Sequence, residues 1–202
     1  MSAAVATVIK VGGALLGQAG SFELVTNSLT AFAHGRRAVV VPGGGPFANA
    51  VREMFRRIKI SDDAAHWMAV LGMDQYAHAL ADRMAGAPLV TDRAELEHAL
   101  AAGKLPILAP YRWLHAADPL PHSWEVTSDS LSAWIAGSLG AKRLLLIKPV
   151  RDKRASLVDG YFARALPKGL ETMVLTPHEL DRLGAALDES RPPGAWRLVS
   201  EG

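Results

Sequence analysis

No cysteine occurs in the 202 residues, which excludes disulfides and thiolate metal sites. No stretch approaches ~18 uncharged apolar residues, so no transmembrane helix is expected. No run of five or six Lys/Arg accompanies the net charge of +2, and nucleic acid is not an expected partner. "MSAAVATVIK" has no basic start, so it does not read as a signal peptide, and a cytoplasmic, soluble protein without membrane contact is the expectation. The seven histidines show no H-E-x-x-H or comparable spacing, so no metal site is expected. The P-loop pattern G-x-x-x-x-G-K-[ST] is missing too. Repeats, low-complexity tracts and linkers are not seen. What remains is a chain 50% apolar, enough for a substantial core in one large domain or two small lobes.

Short Val/Ile/Leu runs alternate with helical patterns. "VATVIK", "RAVVV", "APLVTD", "LPILAPY" and "KRLLLIKPV" read as strands, and "AWRLV" as a possible last one. Between them, "ELVTNSLTAFAHG", "PFANAVREMFRR", a long amphipathic helix from Ser61, "RAELEHALAAG" and "TSDSLSAWIAGSLGA" read as helices, and "HELDRLGAAL" as another. "RWLHAADPLPHSWEV" reads as an irregular loop, a lid or a subunit contact. Continuous apolar strands alternating with helices imply a mainly parallel sheet covered on both faces, a three-layer αβα sandwich. Ligands in such sheets bind beyond the carboxyl ends of the strands.

Three features fall at that edge. Gly12-Gly13 ends the first strand and Gly43-Gly44-Gly45 the second. Their N–H groups and the following helix N-termini would form an anion-binding concavity, or the glycines only make tight turns. "GGGPFA" also fits the loose dinucleotide pattern G-x-G-x-x-A, with Asp62 or Asp63 near the distance of a ribose-binding acid. Lys10 and Lys148 each end an apolar strand. They are either solvated or face each other across an anion such as a polyphosphate. Thr127, Ser128 or Asp129 caps a helix there, and Asp129 would alternatively hold the lysines in place.

"IKVGGALL", "VVVPGGGPFANAVR" and "TSDSLSAWIAGSLGAKRLLLIKPV" together resemble the amino acid kinase superfamily. The segment "HWMAVLGMDQYAHALAD" looks like the kinases of methanofuran biosynthesis, which convert aminomethylfuran-methyl phosphate to its diphosphate. The resemblance covers Thr7 to about Asp152. It implies ATP with Mg2+, a small acceptor, a homo-oligomer, an acceptor lobe over about 1–125 and a nucleotide lobe over about 126–202. By motif, Lys10 would contact the transferred phosphoryl group, Asp129 would orient the lysines and Lys148 would take a phosphate role. Gly12, Gly13, Ser128, Ser130 and Asp152 would lie on the nucleotide phosphates. Gly43, Gly44 and Gly45 would hold the acceptor, together with His66 and Asp74. His66 is otherwise a satisfied, half-buried histidine. Asp74 shares a stripe with Trp67, Leu71 and His78, where the alternative is an i,i+4 pair with His78 at a subunit interface.

The chain departs from the superfamily in two places. Lys148-Pro149 stands where relatives carry a polar or Thr-Asp-type dipeptide, and no Gly-Met-x-x-Lys segment supplies a further lysine. That absence motivates the alternative of a non-catalytic ligand-binding or scaffold member.

Overall fold

Buried on every residue, β1 (Thr7–Val11), β2 (Ala38–Pro42) and β5 (Arg143–Ile147) form the centre of the sheet. Strands covered on both faces carry such nearly continuous apolar runs. The computed structural model describes residues 4–33, 35–149, 157–188 and 190. β3 (Leu89–Val90), β4 (Ile107–Leu108) and β6 (Glu171–Leu175) complete six strands in the order β3-β4-β2-β1-β5-β6, every neighbouring pair parallel. The helices are α1 (Ser21–Ala33), α2 (Gly45–Ile58), α3 (Asp62–Arg83), α4 (Arg93–Ala101), α5 (Tyr111–Ala117), α6 (Ser128–Ser138), α7 (Phe162–Ala165) and α8 (Leu183–Ala186). Turns of 3₁₀ helix span Gly13–Gly17 and Pro177–Arg182.

Strand alternation divides the core in two. Val8, Val39, Val41, Leu144 and Leu146 pack with Leu131, Ala133 and Ile135 of α6. Ile9, Val11, Val40, Leu145 and Ile147 pack with Val25 and Leu29 of α1 and Leu183 of α8. Helix α3 serves both, giving Val70 and Met73 to the first cluster and Tyr76, Ala77 and Leu80 to the second. The result is the expected three-layer α/β arrangement. From β1 the chain goes to β2 on one side and later to β5 on the other. The carboxyl end of β1 is therefore the topological switch point, where open α/β sheets bind ligands.

Some elements differ from the sequence reading. Tyr111–Ala117 is a helix and not part of an irregular loop, because the Asp74 carboxylate accepts the Tyr111 N–H at 2.9 Å and starts it. Glu171–Leu175, where no strand was expected, pairs with β5. The stripe of Trp67, Leu71, Asp74 and His78 is not an apolar core face, since Leu71 and His78 are exposed. The possible strand "AWRLV" and Asp152 lie outside the described residues.

Candidate active site

Period two along β1 puts Lys10 on the same face as Val8, the face that α6 covers. Its neighbours in register are Val41 and Leu146. Helix α6 begins directly above, and Asp129 in its first turn reaches down between two lysines. Lys10 Nζ lies 2.8 Å from Asp129 Oδ1, and Lys148 Nζ donates to Asp129 Oδ2. The carboxylate is 5% exposed, Lys10 6% and Lys148 19%. Burial pushes the Asp129 pKa up, but the two ammonium groups outweigh it and hold it below the usual carboxylate range. Lys148 is lowered by its own burial and by Lys10, despite Asp129. Two lysines share one carboxylate, and the other nearby carboxylate, Asp159, attracts Lys148 only at longer range. Among buried groups such a close-range imbalance favours an anion at the more open lysine, Lys148.

Asp129 is not the cap of its helix. Thr127 is the N-cap, and its Oγ1 accepts the Asp129 N–H at a long 3.4 Å. The stronger fastening comes from Asp159, which the sequence reading did not single out. Its Oδ2 accepts from the N–H groups of Thr127 and Ser130, both at 3.0 Å, and from Thr127 Oγ1 at 2.7 Å. Ser130 Oγ donates to Oδ1, which also accepts the Tyr161 N–H at 3.2 Å. One carboxylate thus satisfies orphan donors at the start of α6 and fixes where Asp129 points.

The five glycines divide into two groups. The Gly12 N–H goes to Ile147 O and the Gly43 N–H to Val11 O, each at 2.8 Å, so these two serve the sheet and not an anion. Gly13, Gly44 and Gly45 border a cleft. Here the two loops touch. A Cβ on Gly13 would overlap the Gly45 nitrogen, and one on Gly43 would stand 2.7 Å from the Gly13 nitrogen. Gly45 also has φ +55°, which L side chains rarely adopt. Close backbone approach and a strained turn both account for glycine here.

The cleft holds about 240 Å³ and runs between α2, α3 and the start of α6. Val70, Met73 and Leu131 give it an apolar floor; Ser128 and His66 border it. His66 is buried, stacked on His122 with ring centroids 4.2 Å apart. Burial and the neighbouring His122 lower its pKa to about 4, so it is neutral at pH 7. His122 bridges Asp63 at 2.6 Å and Asp118 at 2.9 Å, pinning the 118–126 segment to α3. Burial lowers the His122 pKa, but those two carboxylates more than offset it and leave it raised. Arg52, Asn49 and Trp124 also line the cleft, and no motif groups them along the chain.

Lys10, Asp129 and Lys148 therefore come together, and Gly13, Gly44, Gly45, His66 and Ser128 surround the adjoining cleft. Ser130 turns to Asp159. Asp74 is not among the cleft residues; burial raises its pKa and its carboxylate is occupied by the Tyr111 N–H.

A parallel sheet with a buried Lys–Asp–Lys group and paired glycine loops at its switch point is the arrangement of a phosphoryl-transfer enzyme. The chain belongs to the amino acid kinase family, whose model matches residues 6–151. It is a small-molecule kinase, and that membership implies ATP as the donor. The [5-(aminomethyl)furan-3-yl]methyl phosphate kinase of Methanocaldococcus jannaschii is 28% identical over 187 residues, covering 92% of this chain and 80% of the relative. Among solved structures, the uridylate kinase of Archaeoglobus fulgidus superposes with a TM-score of 0.67 at 14% identity, covering 93% of this chain and 95% of that one. The aspartate kinase of Synechocystis gives 0.60 at 16% identity, covering 86% of this chain and 38% of that one. The last two share the fold. The dinucleotide reading of "GGGPFA" is set aside, because those glycines follow the second strand of a kinase fold.

Proposed function

We propose that the protein transfers the γ-phosphoryl group of ATP to the phosphate of [5-(aminomethyl)furan-3-yl]methyl phosphate, forming the diphosphate and ADP. The observation that carries this reading is the Lys10–Asp129–Lys148 group at the switch point, beside a cleft large enough for a small ring. Likeness to the Methanocaldococcus jannaschii kinase supports the choice of acceptor. An acceptor phosphate oxygen attacks the γ-phosphorus, the bond from that phosphorus to the β–γ bridging oxygen breaks, and the electron pair leaves with ADP. Such a transfer requires little covalent help and much positioning and charge stabilisation.

Lys10 and Lys148 stabilise the charge on the transferred oxygens, and Asp129 keeps both ammonium groups aimed. Gly13 would serve the nucleotide phosphates, while Gly44, Gly45 and His66 would serve the acceptor. Residues to about 125 supply the acceptor side and those from about 126 the nucleotide side. No cluster of three or more His, Asp or Glu among the described residues could hold a metal ion. Mg2+ would be held by phosphate oxygens and water, adding charge neutralisation on ATP.

The test is ADP formation with a panel of aminomethylfuran-methyl phosphate, UMP, aspartate and glutamate. Turnover is expected with the furan phosphate. Folded protein that turns over another member of the panel and not the furan phosphate would refute this acceptor.

A further inference from the structure

Arg52 and Asp62 line the same cleft, and neither has an oppositely charged partner among the described residues. Arg52 is nevertheless held in place. Its Nη1 donates to Asn49 Oδ1 at 2.8 Å, three residues back along α2. A long side chain on a helix leans toward the N-terminus, and this bond shows that lean directly. The guanidinium is thereby drawn toward Gly45, where α2 begins. Its Cζ lies over the Trp124 ring, 4.8 Å from the centroid, and Trp124 packs edge-on against Phe55 at 5.5 Å. One N–H is used by Asn49 and one face by Trp124. The rest of the planar fork remains available for paired oxygens.

Asp62 stands in the first turn of α3, exposed. Its helix position explains why an acid is tolerated. It does not explain why that acid borders the same cleft as a braced guanidinium, with Val70 and Met73 also in the lining. His66, the other titratable group of the lining, is neutral at pH 7 and answers neither charge.

The geometry points to a bipolar acceptor site: Arg52 takes the acceptor's phosphate, and Asp62 takes an ammonium group. The preferred acceptor is an amino phosphate monoester, with an apolar spacer lying over Val70 and Met73. This rests on the kinase reading above and names which residues choose the acceptor. Asn49 and Trp124 act as positioning residues, through Arg52.

Calorimetric binding without nucleotide tests it, using aminomethylfuran-methyl phosphate and its analogue lacking the amine. The amine compound should bind wild-type protein roughly fivefold tighter, as for an exposed ion pair. Asp62→Asn should erase that preference while leaving the amine-free analogue unchanged. Arg52→Met should weaken both compounds about 10- to 100-fold, and Arg52→Lys should restore only part of it. Circular dichroism checks that each variant is folded. Equal wild-type affinity for the two compounds, binding of neither, or a preference that survives in Asp62→Asn would overturn the bipolar site. ADP formation with equal affinities would leave the proposed reaction standing without it. An amine preference without any ADP formation would do the reverse.

Discussion

Asp129 gives one oxygen to each of two lysines, and an amide cannot do the same. Its NH2 would face an ammonium group. Asp129→Asn should therefore lower kcat. Because Thr127 occupies the cap position, no capping effect intrudes. Lys10→Ala should lower kcat about 100- to 1000-fold, the usual consequence of removing one preorganised charge. Lys10→Arg should rescue poorly, since a planar fork does not replace a compact ammonium beside tight glycine loops. Single-turnover kinetics read all three variants. Wild-type kcat in Asp129→Asn would sink the assignment. Asp129→Ala, which strands two covered lysines, should also cost about 3–5 kcal/mol in stability by denaturant titration.

His66 makes a prediction about pH. Its folded-state pKa is lowered to about 4 from an unfolded value of 6.5. Between these values the unfolded chain binds more protons, so stability rises with pH across that window. Its contribution is fully present above pH 6.5 and is lost as pH falls toward 4. His66→Gln should flatten this part of a stability-versus-pH curve. An unchanged slope between pH 4 and 6.5 would show that another group is responsible.

At the level of elements, Asp159 fastens the loop before α7 to the start of α6. Removing it leaves several donors at a helix terminus without partners, so Asp159→Ala should destabilise the protein by about 2–3 kcal/mol. It should also lower kcat through Asp129 more than it weakens the binding of either substrate. A destabilised variant with normal kcat would confine Asp159 to stability. The same element scale shows what was legible in the sequence. β1, β2 and β5 announce themselves because every residue is buried and apolar pressure acts at each position. Lys10 and Lys148 stand out because charge at the end of such a run is unusual, and Asp129 because it opens a helix at the same edge. β6 was not legible, since Glu171 and Met173 are only partly buried on an edge strand. Nor was α5, whose first N–H is satisfied from 37 residues away. Asp159 and Arg52 escaped for the same reason: their partners Thr127 and Trp124 are brought to them only by the fold.

At the scale of the whole molecule, the described residues form one continuous sheet, with α3 contributing to the clusters on both of its faces. Neither cluster can lose its order while the other keeps α3 in place. Thermal unfolding should thus be a single transition with equal calorimetric and van't Hoff enthalpies. ATP should move that whole transition upward, by about 2.7 kcal/mol at a hundred times its Kd. Two resolved transitions, only one of them ATP-sensitive, would instead mark the acceptor and nucleotide halves as separately folding units.

Where Gly13 meets Gly45, no side chain cushions one loop from the other. A ligand that stiffens either loop removes freedom from its neighbour as well, so the second ligand has less disorder left to quench. Donor and acceptor should consequently reinforce each other's binding although neither reaches across. Reciprocity then demands equal factors: a non-hydrolysable ATP analogue should tighten acceptor binding as much as acceptor tightens the analogue. Titrating each ligand with and without the other measures both factors. Affinities that ignore the second ligand would mean that the backbone contact is a hinge pin and not a messenger.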